Sequence, residues 1–206
     1  MKKPNITTDL AKFLNPGTLT EPFLSNEFVF NKIMTDLQNK QKNGKKSSIP
    51  ESLNRWIHNN IKFSHDSEFK SKYRFQRSAK EIWESGFATG CSDYAMLFAT
   101  FARQLDLPTT FLHTAELGWL ERLKSGKDFS HHYGHAFCEC FYENKWILVD
   151  PTSKKIEQNY NPEKIVLSYN VGPGNVYIPY FRDTDLSKRQ STQQHNLEMD
   201  NLCKNL

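Results

Sequence analysis

The order of patterns along this chain predicts an α+β fold, with helices first and an antiparallel sheet afterwards. Three observations carry that expectation. Apolar residues recur at helical spacing between residues 27 and 63. Residues 92–105 are apolar nearly all round, which requires a buried central helix. Two alternating runs, Tyr133–Tyr142 and Lys145–Asp150, flank Glu143-Asn144 as the strands of a β-hairpin do.

The elements follow in order. Pro4, Pro16, Gly17 and Pro22 punctuate the start, and Asn26 is placed to cap a helix over 27–42 carrying Phe28, Ile33, Met34 and Leu37. Lys40 to Ser48 holds four Lys with Gly44 and two Ser, the composition of a solvated linker. Pro50 opens a second helix whose stripe is Leu53, Trp56, Ile57 and Ile61. Residues 65–76 carry no assignable pattern. Ser78, with Glu81 three positions on, is a capping box for a short helix through Trp83. After the central helix Pro108 stops the turn, Thr109–His113 reads as a strand, and Gly118, Ser125 and Gly126 read as a loop. Beyond the hairpin, strands near 165–170 and 176–181 are expected around a Gly172-Pro173-Gly174 turn. The polar end is a surface helix or loose tail. This divides the chain into a helical extension and basic linker (1–49), a core (50–182) and a tail (183–206).

Composition narrows the function classes. The chain has 206 residues, with 27 Lys plus Arg against 23 Asp plus Glu, a net charge of +4. That excess forms no single block, so nucleic-acid binding has no support. Fifteen Phe, eight Tyr and four Trp can fill a core, which excludes wholesale disorder. No apolar run approaches the ~18 residues of a membrane span. Met1-Lys2-Lys3-Pro4 has no apolar stretch behind it, unlike a cleavable signal. Cys91, Cys138, Cys140 and Cys203 without a signal fit a reducing, cytoplasmic setting better than a disulfide scaffold, with export lacking a cleavable signal left open.

The chemistry concentrates around Thr89-Gly90-Cys91-Ser92-Asp93. A cysteine opening a helix meets unpaired N–H groups and the positive end of the dipole, which favour thiolate over thiol. Gly90 leaves room for another chain to come close. Asp93 complements the helix dipole. If Tyr142 pairs with Lys145, then His135, Phe137 and Glu139 share a face with Leu148 and Asp150. His135 and Asp150 become diagonal neighbours with Cα atoms ~7–8 Å apart, within imidazole-to-carboxylate reach. Should the central helix dock its positive end on that face, Cys91, His135 and Asp150 make a nucleophile, base and orienter.

Gly90-Cys91-Ser92-Asp93-Tyr94-Ala95, the Leu97 to Leu107-Pro108 helix, His135-Ala136-Phe137-x-Glu139 and Trp146-x-x-Val149-Asp150-Pro151-Thr152 together resemble the transglutaminase-like superfamily. The resemblance runs from about Leu53 to Thr152. It implies a papain-like core, a central helix on an antiparallel sheet, and a Cys91, His135, Asp150 triad. It also implies acyl transfer through a thioester, as protease, amidase or glutamine–amine cross-linker, on a peptide or protein substrate without cofactor or metal.

Other constellations compete. His131, His132, His135, Cys138 and Cys140 contain zinc-type ligands, but strand alternation turns Cys138 and Cys140 away from His135 into apolar packing against the central helix. Glu139 is either a modulator of His135 or a solvated or salt-bridged acid. His113, Trp56 and Trp83 read as structural. The rival functions are a catalytically silent peptide- or protein-binding module and a related acyltransferase using a thioester donor. Substrate identity and oligomeric state are not encoded in any pattern found.

Overall fold

The computed structural model of the chain describes residues 10–125, 134–164, 176–184 and 201. Short 3-10 turns at Leu10–Phe13 and Thr18–Thr20 precede helix α1 (Asn26–Lys42). Its cap is Ser25, one residue before the expected Asn26: the Ser25 side chain accepts from Phe28 N–H, and Asn26 already lies in the helix. Helix α2 (Ile49–Asn60) has Ser48 as cap, Glu51 completing a capping box and Pro50 in the first turn. Ser47 and Ser48 are thus engaged rather than free linker, since Arg55 also donates to Ser47 Oγ at 2.7 Å.

The unassigned stretch contains helix α3 (Ser67–Tyr73), capped by Asp66. Helix α4 (Ala79–Ser85) keeps its Ser78–Glu81 box and ends on Gly86 in the left-handed conformation, φ 70°. Strands β1 (Lys62–Phe63) and β2 (Phe87–Ala88) form a two-residue parallel ladder that no sequence period could reveal. It brings the end of α2 beside the chain entering helix α5 (Cys91–Gln104).

Almost every residue of α5 from Ser92 onward is buried, as its pattern predicts. Strand β3 (Thr109–Glu116) follows, then helix α6 (Leu117–Lys124) where Gly118 and Ser125 suggested a loop. Trp119 and Leu120 pack with Ala115 and Ile178, and the backbone N–H of Trp119 donates to Glu116 Oε2 at 2.6 Å. That burial outweighs the low helix propensity of Gly118.

The sheet runs β6–β5–β4–β3–β7, antiparallel throughout, with β4 (Gly134–Tyr142), β5 (Lys145–Asp150), β6 (Lys155–Glu157) and β7 (Tyr177–Asp183). The hairpin register is the expected one, Tyr142 opposite Lys145 and Cys138 opposite Val149. Glu143 and Asn144 both have positive φ, 50° and 62°, the conformation of a tight two-residue turn that adds no bulge. β7 matches the strand expected near 176–181. The strand expected near 165–170, Gly172-Pro173-Gly174 and the tail before and after residue 201 lie outside the described residues.

One face of the sheet packs on α5. Phe111, Ala136, Cys138, Cys140, Ile147 and Val149 share a core with Leu97, Phe98 and Phe101, and Cys138 Sγ lies 3.4 Å from the Ala95 carbonyl. Val29 and Ile33 of α1 and Leu53 and Ile57 of α2 are fully buried in the same core. Trp56 and Trp83 stack around Phe101 at centroid distances of 4.9 and 5.2 Å, as core aromatics. The other face carries a smaller cluster of Leu112, Phe137, Leu148, Tyr160 and Tyr177. Arg103 ties the layers: it donates to the Thr109 and Thr184 carbonyls at 2.8 and 2.7 Å and to Thr20 Oγ1 at 3.0 Å.

Candidate active site

Cys91 is the first residue of α5, and Gly90 before it has no side chain to cap the helix. The first-turn N–H groups therefore face outward around the sulfur. Gly90 is fully extended (φ −175°, ψ −176°), and nothing lies within 4 Å of where its Cβ would stand. Among the described residues no part of the chain closes on Gly90, which leaves this edge of the site clear of them.

Asp93 anchors the segment. Its Oδ2 accepts from Thr89 N–H at 2.7 Å, Thr89 Oγ1 at 2.8 Å and Arg77 at 2.6 Å, with both side chains of the ion pair buried. It is a structural clamp as well as the expected acid in the first turn of the helix. Arg77 also donates to the Phe87 carbonyl at 2.9 Å, so one guanidinium fixes β2 and the loop that presents Cys91.

The expected diagonal pair is formed. His135 Nε2 lies 2.9 Å from Asp150 Oδ1, both side chains buried. Helix α5, however, docks on the opposite face of the sheet from that pair, against Ala136 and Cys138. Packing of the helix on Cys138 and Cys140 is the expected one, and only the docking of its positive end on the His135 face is corrected. Contact is made instead at the end of β4, where Cys91, His135 and Ala136 line one cleft and the ring and the Ala136 N–H both act on the sulfur to favour its anion. With Nε2 held by Asp150, the ring nitrogen left for sulfur is Nδ1. Gly134 admits this arrangement, since a Cβ there would stand 3.0 Å from the Thr114 carbonyl of β3. Thr114 Oγ1 donates to the His135 carbonyl at 3.1 Å.

The electrostatics follow from this geometry. Burial pushes the Cys91 thiol up, but the hydrogen bond and charge of His135, the Ala136 N–H and the Arg74 charge outweigh it and leave it below the ordinary value. Burial disfavours the charged His135 ring, yet the hydrogen bonds to Asp150 and Cys91 raise it to about 10. Burial likewise opposes the Asp150 charge, and the His135 and Ser153 hydrogen bonds overcome it. Both shifts act toward a thiolate facing an imidazolium.

Several supports escaped the sequence reading. On α2, Asn54 Nδ2 donates to the Asp150 carbonyl at 3.3 Å and His58 Nε2 lies 2.6 Å from the Pro151 carbonyl. The His58 ring stacks on Tyr94 of α5, centroids 4.6 Å apart. Their i, i+4 spacing on one helix face was the available signal. Glu139 shares the His135 face but is engaged elsewhere: Arg182 Nε donates to it at 2.7 Å and the Tyr160 hydroxyl donates to its other oxygen. It is the salt-bridged acid of the two readings. His113 is buried and lines the Cys91 cleft, its ring 5.6 Å from that of Phe181. Cys138 and Cys140 are buried in the core, where burial pushes both thiols up, Cys140 to about 12. His131 and His132 lie outside the described residues, among which no group of three or more His, Cys, Asp or Glu could hold a metal ion.

With fold and site in view, the class is an α+β protein of the papain-like kind, whose central helix carries a cysteine to a histidine and an aspartate. The chain belongs to the transglutaminase-like superfamily, whose core model matches residues 32–151. Among solved structures it is similar to a candidate cysteine protease from Cytophaga hutchinsonii, at 16% identity and a TM-score of 0.54, over 90% of this chain and 50% of that one. This chain thus spans about half that protein's length, and the likeness bears on fold alone. A structure described as a TGase is similar at 16% identity and a TM-score of 0.39, over 68% of this chain and 33% of that one. No curated protein matches in sequence. Among the described residues no helix is long and apolar enough to cross a membrane.

Proposed function

We propose that this protein is a cysteine-dependent acyl-transfer enzyme acting on peptide or glutamine amides, with Cys91 as nucleophile, His135 as acid and base, and Asp150 as the orienter of the imidazole. The observation that carries this reading is the buried His135–Asp150 pair standing in the same cleft as Cys91 at the first turn of α5. Membership of the superfamily supports it.

The steps balance with these groups alone. The Cys91 thiolate attacks the amide carbonyl carbon, and the carbonyl electron pair moves to oxygen. The backbone N–H of Cys91, at the positive end of α5, is the natural donor to that oxyanion. Collapse breaks the C–N bond while the proton on His135 Nδ1 passes to the leaving nitrogen, giving a thioester and a neutral imidazole. His135 then takes a proton from water or an amine as it attacks the thioester, and the thiolate leaves. Asp150 keeps its charge throughout and holds the ring by Nε2. The open side of Gly90 leaves space for an extended chain beside the sulfur.

Incubation with a peptide library, beside a glutamine peptide plus a primary amine, tests the reading by mass spectrometry. The expected products are an acyl adduct on Cys91 and its release to water or amine, both lost in a folded Cys91→Ala variant. A protein yielding neither product, with a Cys91 that titrates as an ordinary thiol, is a binding module instead.

A further inference from the structure

We infer that Arg74 and Phe75 form the recognition wall of the Cys91 cleft, which takes an acyl donor carrying a carboxylate close to its reacting carbonyl, as in an acidic peptide. This rests on the acyl-transfer reading and names the substrate class for that site.

The cleft is lined by Arg74, Phe75, Cys91, His135 and Tyr180. Arg74 directly follows α3, and its side chain is exposed. Its guanidinium lies 4.9 Å from the centroid of the Phe75 ring, a cation–π contact that steadies a long side chain at the cleft wall. Among the described residues Arg74 takes part in none of the ion pairs formed. A planar fork of donors held this way suits a carboxylate.

Phe75 supplies the second observation. Its φ is 60°, in the left-handed region that a bulky aromatic rarely adopts. Phe75 is the third residue of a β-turn over residues 73–76, with Arg74 at φ −61° and ψ 128° and Gln76 N–H donating to the Tyr73 carbonyl at 3.2 Å. Here it turns the chain sharply after α3 and presents both the ring and Arg74 to the cleft. The same positive charge already acts on the Cys91 sulfur.

Two small alkylating reagents of nearly equal shape test the assignment on the whole chain. Iodoacetate carries a carboxylate, and iodoacetamide is its neutral counterpart. At low ionic strength and a pH where the thiolate is formed, Arg74→Gln should lower the iodoacetate-to-iodoacetamide rate ratio at Cys91 about threefold, the size expected for one charge acting through solvent. Arg74→Lys should keep most of the ratio, and added salt should shrink the difference between wild type and Arg74→Gln. In peptide assays, kcat/KM on donors with a flanking Asp or Glu should fall in Arg74→Gln while matched Asn or Gln donors hold. An unchanged reagent ratio, with a normal iodoacetamide profile showing the variant folded, overturns the role of Arg74 and leaves the acyl-transfer reading standing. A wild-type Cys91 that reacts with iodoacetamide as an ordinary thiol overturns both.

Discussion

Asp150 Oδ1 sits 2.9 Å from His135 Nε2 and also takes the backbone N–H groups of Thr152 and Ser153, at 2.9 and 3.2 Å. Ser153 Oγ donates to the other oxygen at 2.6 Å. Four donors therefore hold one buried carboxylate, so the acid is fixed by its own turn before it orients the ring. Asp150→Asn keeps the shape and removes the charge. Its His135 should hold a proton less well and its Cys91 should lose thiolate. The rate of iodoacetamide alkylation at pH 6 should drop about tenfold or more, since each pKa unit is tenfold in population. Unchanged alkylation would mean that Asp150 does not stabilise the imidazolium.

The pH dependence of stability has a definite sign. In the unfolded chain His135 loses its proton near ~6.5 and Cys91 near ~8.5. In the folded chain Cys91 is lowered and His135 is raised to about 10. The raised histidine contributes stability that is full below ~6.5 and declines as pH rises toward its folded value. The lowered thiol contributes stability present above ~8.5 and lost as pH falls through its folded value. Between those limits the two slopes have opposite sign and oppose one another. Cys91→Ala removes one side of the balance. Above pH ~6.5 its unfolding free energy should fall with pH more steeply than the wild type's, by at most ~1.4 kcal/mol per unit. Urea titrations across pH 6–9 measure the difference, and parallel curves would show that the two groups do not share a proton.

Arg77 and Asp93 form a buried pair at 2.6 Å beneath the segment that presents Cys91. Arg77→Met strands a buried carboxylate. It should cost about 3–5 kcal/mol in urea unfolding, as breaking buried pairs does. Pairing it with Asp93→Leu should recover part of that loss by removing the stranded charge. A change near zero in the single variant would mean that solvent already reaches Asp93.

The hairpin was legible because two rules meet there. Period-two alternation sorts His135 with Asp150, and Glu143-Asn144 closes a turn without a bulge, so the register argument holds to the residue. The central helix was legible because its apolar pattern leaves only burial. Its packing on Cys138 and Cys140 followed from alternation, but where its positive end sits did not, because both faces of β4 are apolar: Phe137 and Leu148 on one side, Cys138, Cys140 and Val149 on the other. Alternation separates two such faces without ranking them. The Arg77–Asp93 clamp was hidden by a separation of sixteen residues, while Asp93 in a first turn had a sufficient local explanation. Helix α6 was missed because Gly118 argued locally for a loop, whereas the burial of Trp119 and Leu120 decides it. β1, β2 and β6 are too short to show any period.

The central claim is that His135 holds Cys91 as a thiolate, and the pH profile of Cys91 alkylation by iodoacetamide tests it most directly. The wild-type midpoint should lie well below the ~8.5 of a free thiol, and His135→Ala should move it up to that value or beyond, since burial alone raises it. A wild-type midpoint near that of a free thiol, unmoved by His135→Ala, would contradict the account.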